Sequence, residues 1–219
     1  MWENMSRLLE VTDRVTPTQQ VAVISRELNK FEDKSSLLSI LAQEYEVNNI
    51  GISKAKKWVA KMFKLFESEI DADYATYDDL GDVVYYLDNQ AEKQGNFSTR
   101  TIIRFLELDC GKIDSEQFEL ISESIVTMSA LARKWFIRYW LRVPRNGINS
   151  GTVTKIIAKH YGKKLKEVKK HLNFNSIETV VACYETNQIP PTNLVHGSFV
   201  SPMLAKEVPM VKWPTNKIV

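Results

Sequence analysis

The sequence predicts an all-α fold, and three observations carry the prediction. Glycine and proline are few, 8 and 7 in 219 residues, whereas an all-β chain needs turn residues every ten positions or so. Apolar residues recur at spacings of three and four over most of the chain, the period of a helix face. No stretch alternates convincingly with period two. Five Trp, eight Tyr and nine Phe within 44% apolar residues fill a sizeable core without disulfide staples. We expect a compact domain of ten or so helices over residues 1–189.

The elements follow in chain order. Thr16-Pro17-Thr18-Gln19 starts a helix, with Thr16 as cap, Pro17 at the first position and Gln19 bonding back. Val21, Ile24, Leu28 and Phe31 form its apolar stripe. Leu37, Leu38, Ile40, Leu41 and Tyr45 mark a second helix after Asp33. Ser53 is expected to cap a lysine-rich helix whose Trp58, Met62, Phe63 and Phe66 face inward. Thr76 or Asp79 starts a further helix running to about Asn89, Ser98 or Thr99 one through Leu108, and Ser115 another. Ala130 to Leu141 is the most apolar segment, so Trp135 and Trp140 are read as core. Five of the seven prolines follow residue 189. Proline fixes φ and lacks an amide donor, so residues 190–219 are expected to be an extended linker.

Charge is segregated although the net charge is only +2. Lys54 to Lys64 holds five lysines and no acid, and Glu67 to Asp82 holds seven acids and no base. Residues 112–124 are acidic again. Arg145 to His171 then carries eight Lys/Arg against Glu167 alone. Basic faces of this kind want an anionic partner, commonly nucleic acid. No apolar run approaches the ~18 residues of a membrane span. The first residues lack a basic start with an apolar core, so no signal peptide is expected. Cys110 and Cys183 set no disulfide framework and are read as free thiols, which fits an intracellular monomer.

The pattern repeats. Asn49-Ile50-Gly51-Ile52-Ser53 opens one basic helix, and Asn146-Gly147-Ile148-Asn149-Ser150 opens another 96–98 residues later. A capped apolar helix follows each by about thirty residues. We expect two related halves with approximate two-fold symmetry and both turns on one surface. Glycine lets a backbone approach a ligand closely, and the unpaired amides of a helix start suit a phosphate. The candidate contacts are Gly51, Ser53, Lys54, Lys56 and Lys57 in the first copy. In the second they are Arg142, Arg145, Asn146, Gly147, Asn149, Ser150, Gly151, Thr152 and Lys155. The second is the stronger, because it joins two glycines, short polar donors and arginines able to bind a phosphate bidentately.

Enzyme signatures are scarce. No phosphate-binding loop, dinucleotide fingerprint or zinc-protease motif occurs. His160, His171 and His196 are not spaced with the cysteines as metal ligands. Asp78, Asp79 and Asp82 are read as capping and helix-dipole residues.

The order of motifs resembles the N-terminal DNA-binding domain of ATP-dependent DNA ligases. The residues that carry the likeness are Gly51-Ile52-Ser53, Asp79-Leu80-Gly81-Asp82-Val83-Val84 and Arg133-Lys134-Trp135-Phe136-Ile137-Arg138. Leu141-Arg142 with Gly147-Ile148 and Ser201-Pro202-Met203-Leu204-Ala205 complete it. Val143-Pro144-Arg145-Asn146 is an insertion relative to the family pattern, which makes Arg145 a competing phosphate contact. The resemblance implies a grip on duplex DNA around a nick, across the minor groove and without sequence choice. For the complete enzyme of replication, repair and recombination it implies ATP and Mg²⁺ as cofactors. A lysine is adenylated, AMP passes to a 5′-phosphate, and the 3′-hydroxyl closes the nick. The Lys-x-Asp-Gly that would carry AMP occurs nowhere in these 219 residues, so the chain alone is expected to be inactive. Its partners would be nicked DNA and a catalytic domain following the linker. The competing readings are a helical scaffold for an acidic protein and a metal-dependent nuclease using the acidic blocks.

Overall fold

The most apolar stretch of the sequence lies at the centre of the molecule. The computed structural model describes residues 1–45, 50–87, 97–108 and 113–192, and among them the elements are all helical. In order they are α1 (Trp2–Asp13), α2 (Pro17–Glu27), α3 (Lys34–Ala42), α4 (Ile52–Phe63), α5 (Glu67–Tyr77) and α6 (Leu80–Tyr86). There follow α7 (Thr99–Leu106), α8 (Ser115–Val126), α9 (Ala130–Trp140), α10 (Ser150–His160), α11 (Leu165–Leu172) and α12 (Ile177–Glu185). A 3-10 turn, Leu28–Lys30, extends α2. The all-α expectation holds. Cys110, His196, the C-terminal end of the helix expected to reach Asn89 and nearly all of the expected linker lie outside the described residues.

Helix α9 is the axis. Trp135, Phe136, Ile137, Tyr139 and Trp140 are buried on it, as the sequence predicts for both tryptophans. Helices α1, α6 and α7 pack against it. The α6 contact is close because Gly81 has no side chain: a Cβ there would lie 2.8 Å from the Lys134 carbonyl oxygen and 2.8 Å from Arg138 Cγ. Trp2, Met5 and Leu9 bring α1 onto α9, and Trp2 Nε1 donates to the Ala132 carbonyl at 3.0 Å. On the other side α10 packs on α2, α3 and α11, and α12 packs on α3.

Local chemistry sets the boundaries. Thr16 and Gln19 form the expected capping box. Asp33, Ser98, Ser129 and Ser176 each accept a backbone amide at a helix start. Asp79, not Thr76, caps α6, its Oδ1 accepting the Gly81 and Asp82 amides at 2.7 and 3.1 Å.

Two local expectations are corrected. Gly51 is the N-cap of α4, so Ser53 lies inside the first turn and caps nothing. Phe66 does not face inward; it caps α5 by position and is 77% exposed. The sequence pattern also passed over α1 and α5. Helices start at Ile52, Glu67 and Leu80, and others start at Ser150, Leu165 and Ile177, that is 98, 98 and 97 positions on.

Candidate nucleic-acid interface

The segment between α9 and α10 is built on two left-handed arginines and one left-handed glycine: Arg142 at φ +57°, Arg145 at +57° and Gly147 at +69°. Such backbone is costly for a residue with a Cβ, so side-chain bonds must hold it. Arg142 Nη2 donates to the Tyr45 carbonyl at 2.6 Å and Nη1 to the Gln43 carbonyl at 3.2 Å, with the guanidinium 4.5 Å above the Tyr45 ring. The Tyr45 hydroxyl donates to the Tyr139 carbonyl at 2.6 Å; burial pushes that phenol up to about 12. Arg142 therefore staples the segment leading to α4 onto the end of α9.

Asn146 is equally internal. It is 3% exposed, its amide nitrogen donates to the Tyr139 hydroxyl at 3.1 Å, and its Oδ1 accepts the Ile148 amide at 3.0 Å. Its carbonyl accepts from Gln20 Nε2 at 2.7 Å. Of the candidate contacts, Arg142 and Asn146 are thus committed to the fold, and neither offers its side chain to a phosphate in this arrangement. Sequence shows the donors but not the direction they take.

The residues that follow are open. Gly147, Asn149, Ser150 and Gly151 are exposed. Nothing lies within 4 Å of a Cβ placed on Gly147, so its need for glycine is the backbone angle. Asn149 caps α10, its Oδ1 accepting the Thr152 amide at 3.0 Å and the Thr152 hydroxyl at 3.3 Å. Thr152 is buried at 8% and serves the cap. Lys155 is exposed one turn on, followed by Lys159 on α10, Lys163 and Lys164 in the connection, and Lys166, Lys169 and Lys170 on α11. Among the described residues none of these seven lysines enters an ion pair.

The first copy differs. Gly51, Ser53 and Lys54 are exposed at the start of α4. Lys56, however, lies 2.8 Å from Asp71 and 4.0 Å over the Tyr74 ring, and Lys57 lies 3.9 Å from Glu67. The acidic helix α5 thus neutralises much of the basic face of α4. The two turns are neighbours. A cavity of about 220 Å³ is lined by Ile50 and Ile52, which flank Gly51, and by Val143 and Arg145 ahead of Gly147.

Sequence reasoning missed the ion network behind the second turn. Arg145 Nε lies 3.3 Å from Asp79 Oδ2, which also accepts Arg138 Nε at 3.1 Å. Arg138 Nη2 reaches Asp82 at 3.1 Å, and Lys134 lies 3.2 Å from both Asp82 and Glu10. Asp79 is the cap of α6 and Asp82 lies in its first turn, as the sequence predicts, and both also join this network. The number of aspartates beside a buried arginine helix was the signal available. No group of three or more His, Cys, Asp or Glu residues that could hold a metal occurs among the described residues.

The described residues thus form an all-helical domain in which a glycine turn leads into a lysine face without ion pairs. The model of the DNA ligase N terminus family matches residues 2–177 of this chain, and the chain belongs to that family. No curated protein matches the sequence.

Proposed function

We propose that this chain binds duplex DNA without sequence preference as the nick-gripping segment of an ATP-dependent DNA ligase, and that the grip centres on Gly147 to Lys155 and α11. The observation that carries the reading is the contrast between the halves: the α10–α11 lysines are unpaired beside an open helix start, while α4 is answered by α5. Phosphates would meet the free amides of Ser150 and Gly151, the guanidinium of Arg145 and the lysines behind them. Gly51, Ser53 and Lys54 would make a second, weaker contact. The two turns would act together as halves of one repeat, a reading supported by the matched helix starts and the shared cavity.

Within the complete enzyme, residues 1–189 would be the binding domain and residues 190–219 the linker to an adenylation domain. ATP and Mg²⁺ would be held there, and this segment would contribute positioning. Replication and repair are the processes such a ligase serves. The test is fluorescence anisotropy of labelled nicked and intact duplexes over a range of salt. We expect saturable binding that weakens steeply with salt and is indifferent to sequence. Binding that requires an acidic protein, with no affinity for duplex, would favour the scaffold reading instead.

A further inference from the structure

Behind the second turn, one carboxylate occupies a position that suits a phosphate. Arg145 is clamped from two sides: Nε faces Asp79 Oδ2 at 3.3 Å, and Nη2 donates to the Asp78 carbonyl at 2.6 Å. The Asp78 carboxylate is different. It lies 3.7 Å from Nη2, beyond hydrogen-bond reach, and its side chain is 85% exposed. The guanidinium is held firmly while this anion is held loosely.

A second arginine borders the same cavity. Arg138 lines it and is 6% exposed; its Nε and Nη2 are bonded to Asp79 and Asp82, and its Nη1 is enclosed with no hydrogen-bond partner. An enclosed guanidinium N–H without an acceptor is unfavourable and calls for an oxygen. Ile50, Ile52, Leu141 and Val143 line the same space, and such apolar walls strengthen a charge-assisted bond made there.

We propose that this cavity is a seat for one phosphodiester of bound DNA, and that Asp78 is its placeholder in the free protein. One phosphate oxygen takes the place of the Asp78 carboxylate at Arg145 Nη2, and a second accepts from Arg138 Nη1. The exchange replaces one monoanion by another, so the charge balance with Asp79 and Asp82 is unchanged. The displaced carboxylate turns to solvent, which it already faces. The seat lies between the two turns, so a strand crossing from Gly51 to Gly147 passes over it. This inference rests on the duplex-binding reading above.

A double-mutant cycle on the 219-residue chain tests it. Asp78 holds φ +51°, a region that asparagine tolerates well, so Asp78→Asn keeps the backbone. We expect Asp78→Asn to tighten binding of nicked duplex by about two- to fivefold, the scale of an exposed ion pair. In the Arg145→Ala background the same change should have no effect. A gain that persists without Arg145 would be a general charge effect and would overturn the proposal, as would no gain at all. The arginine Nε–H NMR signals distinguish the source of the anion. Duplex should shift those of Arg138 and Arg145, and inorganic phosphate at equal ionic strength should not. If inorganic phosphate shifts them equally, the cavity is a free-anion site and the DNA seat is rejected. If wild-type protein binds no duplex, the functional reading fails with it; if it binds but the cycle shows no coupling, only the seat fails.

Discussion

Arg142 and Arg145 lie three positions apart, hold the same left-handed backbone angle and have opposite prospects. Arg142 spends both terminal nitrogens on carbonyls of another segment. Its loss removes two bonds from a charged donor, each of a kind worth about 1.5–3 kcal/mol. We expect Arg142→Ala to lower urea-unfolding stability by at least about 1.5 kcal/mol. Arg145 is half in solvent, and Arg145→Ala should cost under about 1 kcal/mol while weakening DNA binding on every sequence. If the two variants exchanged these outcomes, the roles assigned here would be reversed. Both arginines read alike in sequence, because composition shows a guanidinium and not where it reaches. His171 makes a third case. It is 3% exposed and bonded to the Tyr184 hydroxyl at 2.7 Å. Burial, with Lys170 and Lys163 nearby and opposed only by Glu167, holds its pKa below the usual 6.5. The unfolded chain therefore takes up this proton first as pH falls, so stability is full above pH 6.5 and declines below it. His171→Gln should flatten that part of a stability–pH curve; an unchanged slope would place its origin elsewhere.

At the scale of elements, α4 and α10 are the pair to compare. Both open on an exposed turn after a buried isoleucine, Ile50 or Ile148, and both carry lysines outward. What separates them is the next helix: α5 brings Glu67 and Asp71 to the α4 lysines, whereas α11 adds three more lysines to α10. Replacing Lys155 and Lys159 by glutamine should weaken duplex binding several times more than replacing Lys56 and Lys57, as anisotropy titrations would show. Equal losses would mean that the α5 acids do not screen the first half. Gly81 tests the other half of the architecture. Gly81→Ala drives a methyl into the Lys134 carbonyl, and overpacking of this kind costs about 1–3 kcal/mol, visible as a lowered melting temperature. Most elements were legible because their caps and apolar stripes coincide: Thr16 with Gln19, Asp33, Ser98 and the tryptophan face of α9. Helix α5 was not, since Ile70 is its one buried residue and a single apolar position makes no period. Helix α1 carries Trp2, Met5 and Leu9 at helical spacing, but Met1 at its cap position has no capping side chain to mark the start. The capping residue of α4 was misplaced because a glycine cap has no side-chain signal.

For the whole molecule the question is whether these separate features sum to one electrostatic surface. The net charge of +2 gives almost no long-range attraction to DNA, so affinity must come from the local lysine face and the helix start. That has a measurable consequence. Each phosphate neutralised by a cation releases condensed counterions, and log K against log salt should fall with slope about −0.9 per contact on a duplex. If Arg145, Lys155 and two to four of the lysines on α10 and α11 engage together, the slope should be about −4 to −5. A value near −1 would mean that the face does not meet the duplex as a unit, whatever single substitutions show. Tight positioning without chemistry is the matching expectation. The Lys-x-Asp-Gly motif is absent from the 219 residues, so incubation with ATP and Mg²⁺ should give no covalent AMP adduct by intact-mass measurement. Nicked duplex should be recovered unsealed even when fully bound. An adduct would place a nucleotidyl-accepting lysine within this helical domain and overturn that expectation.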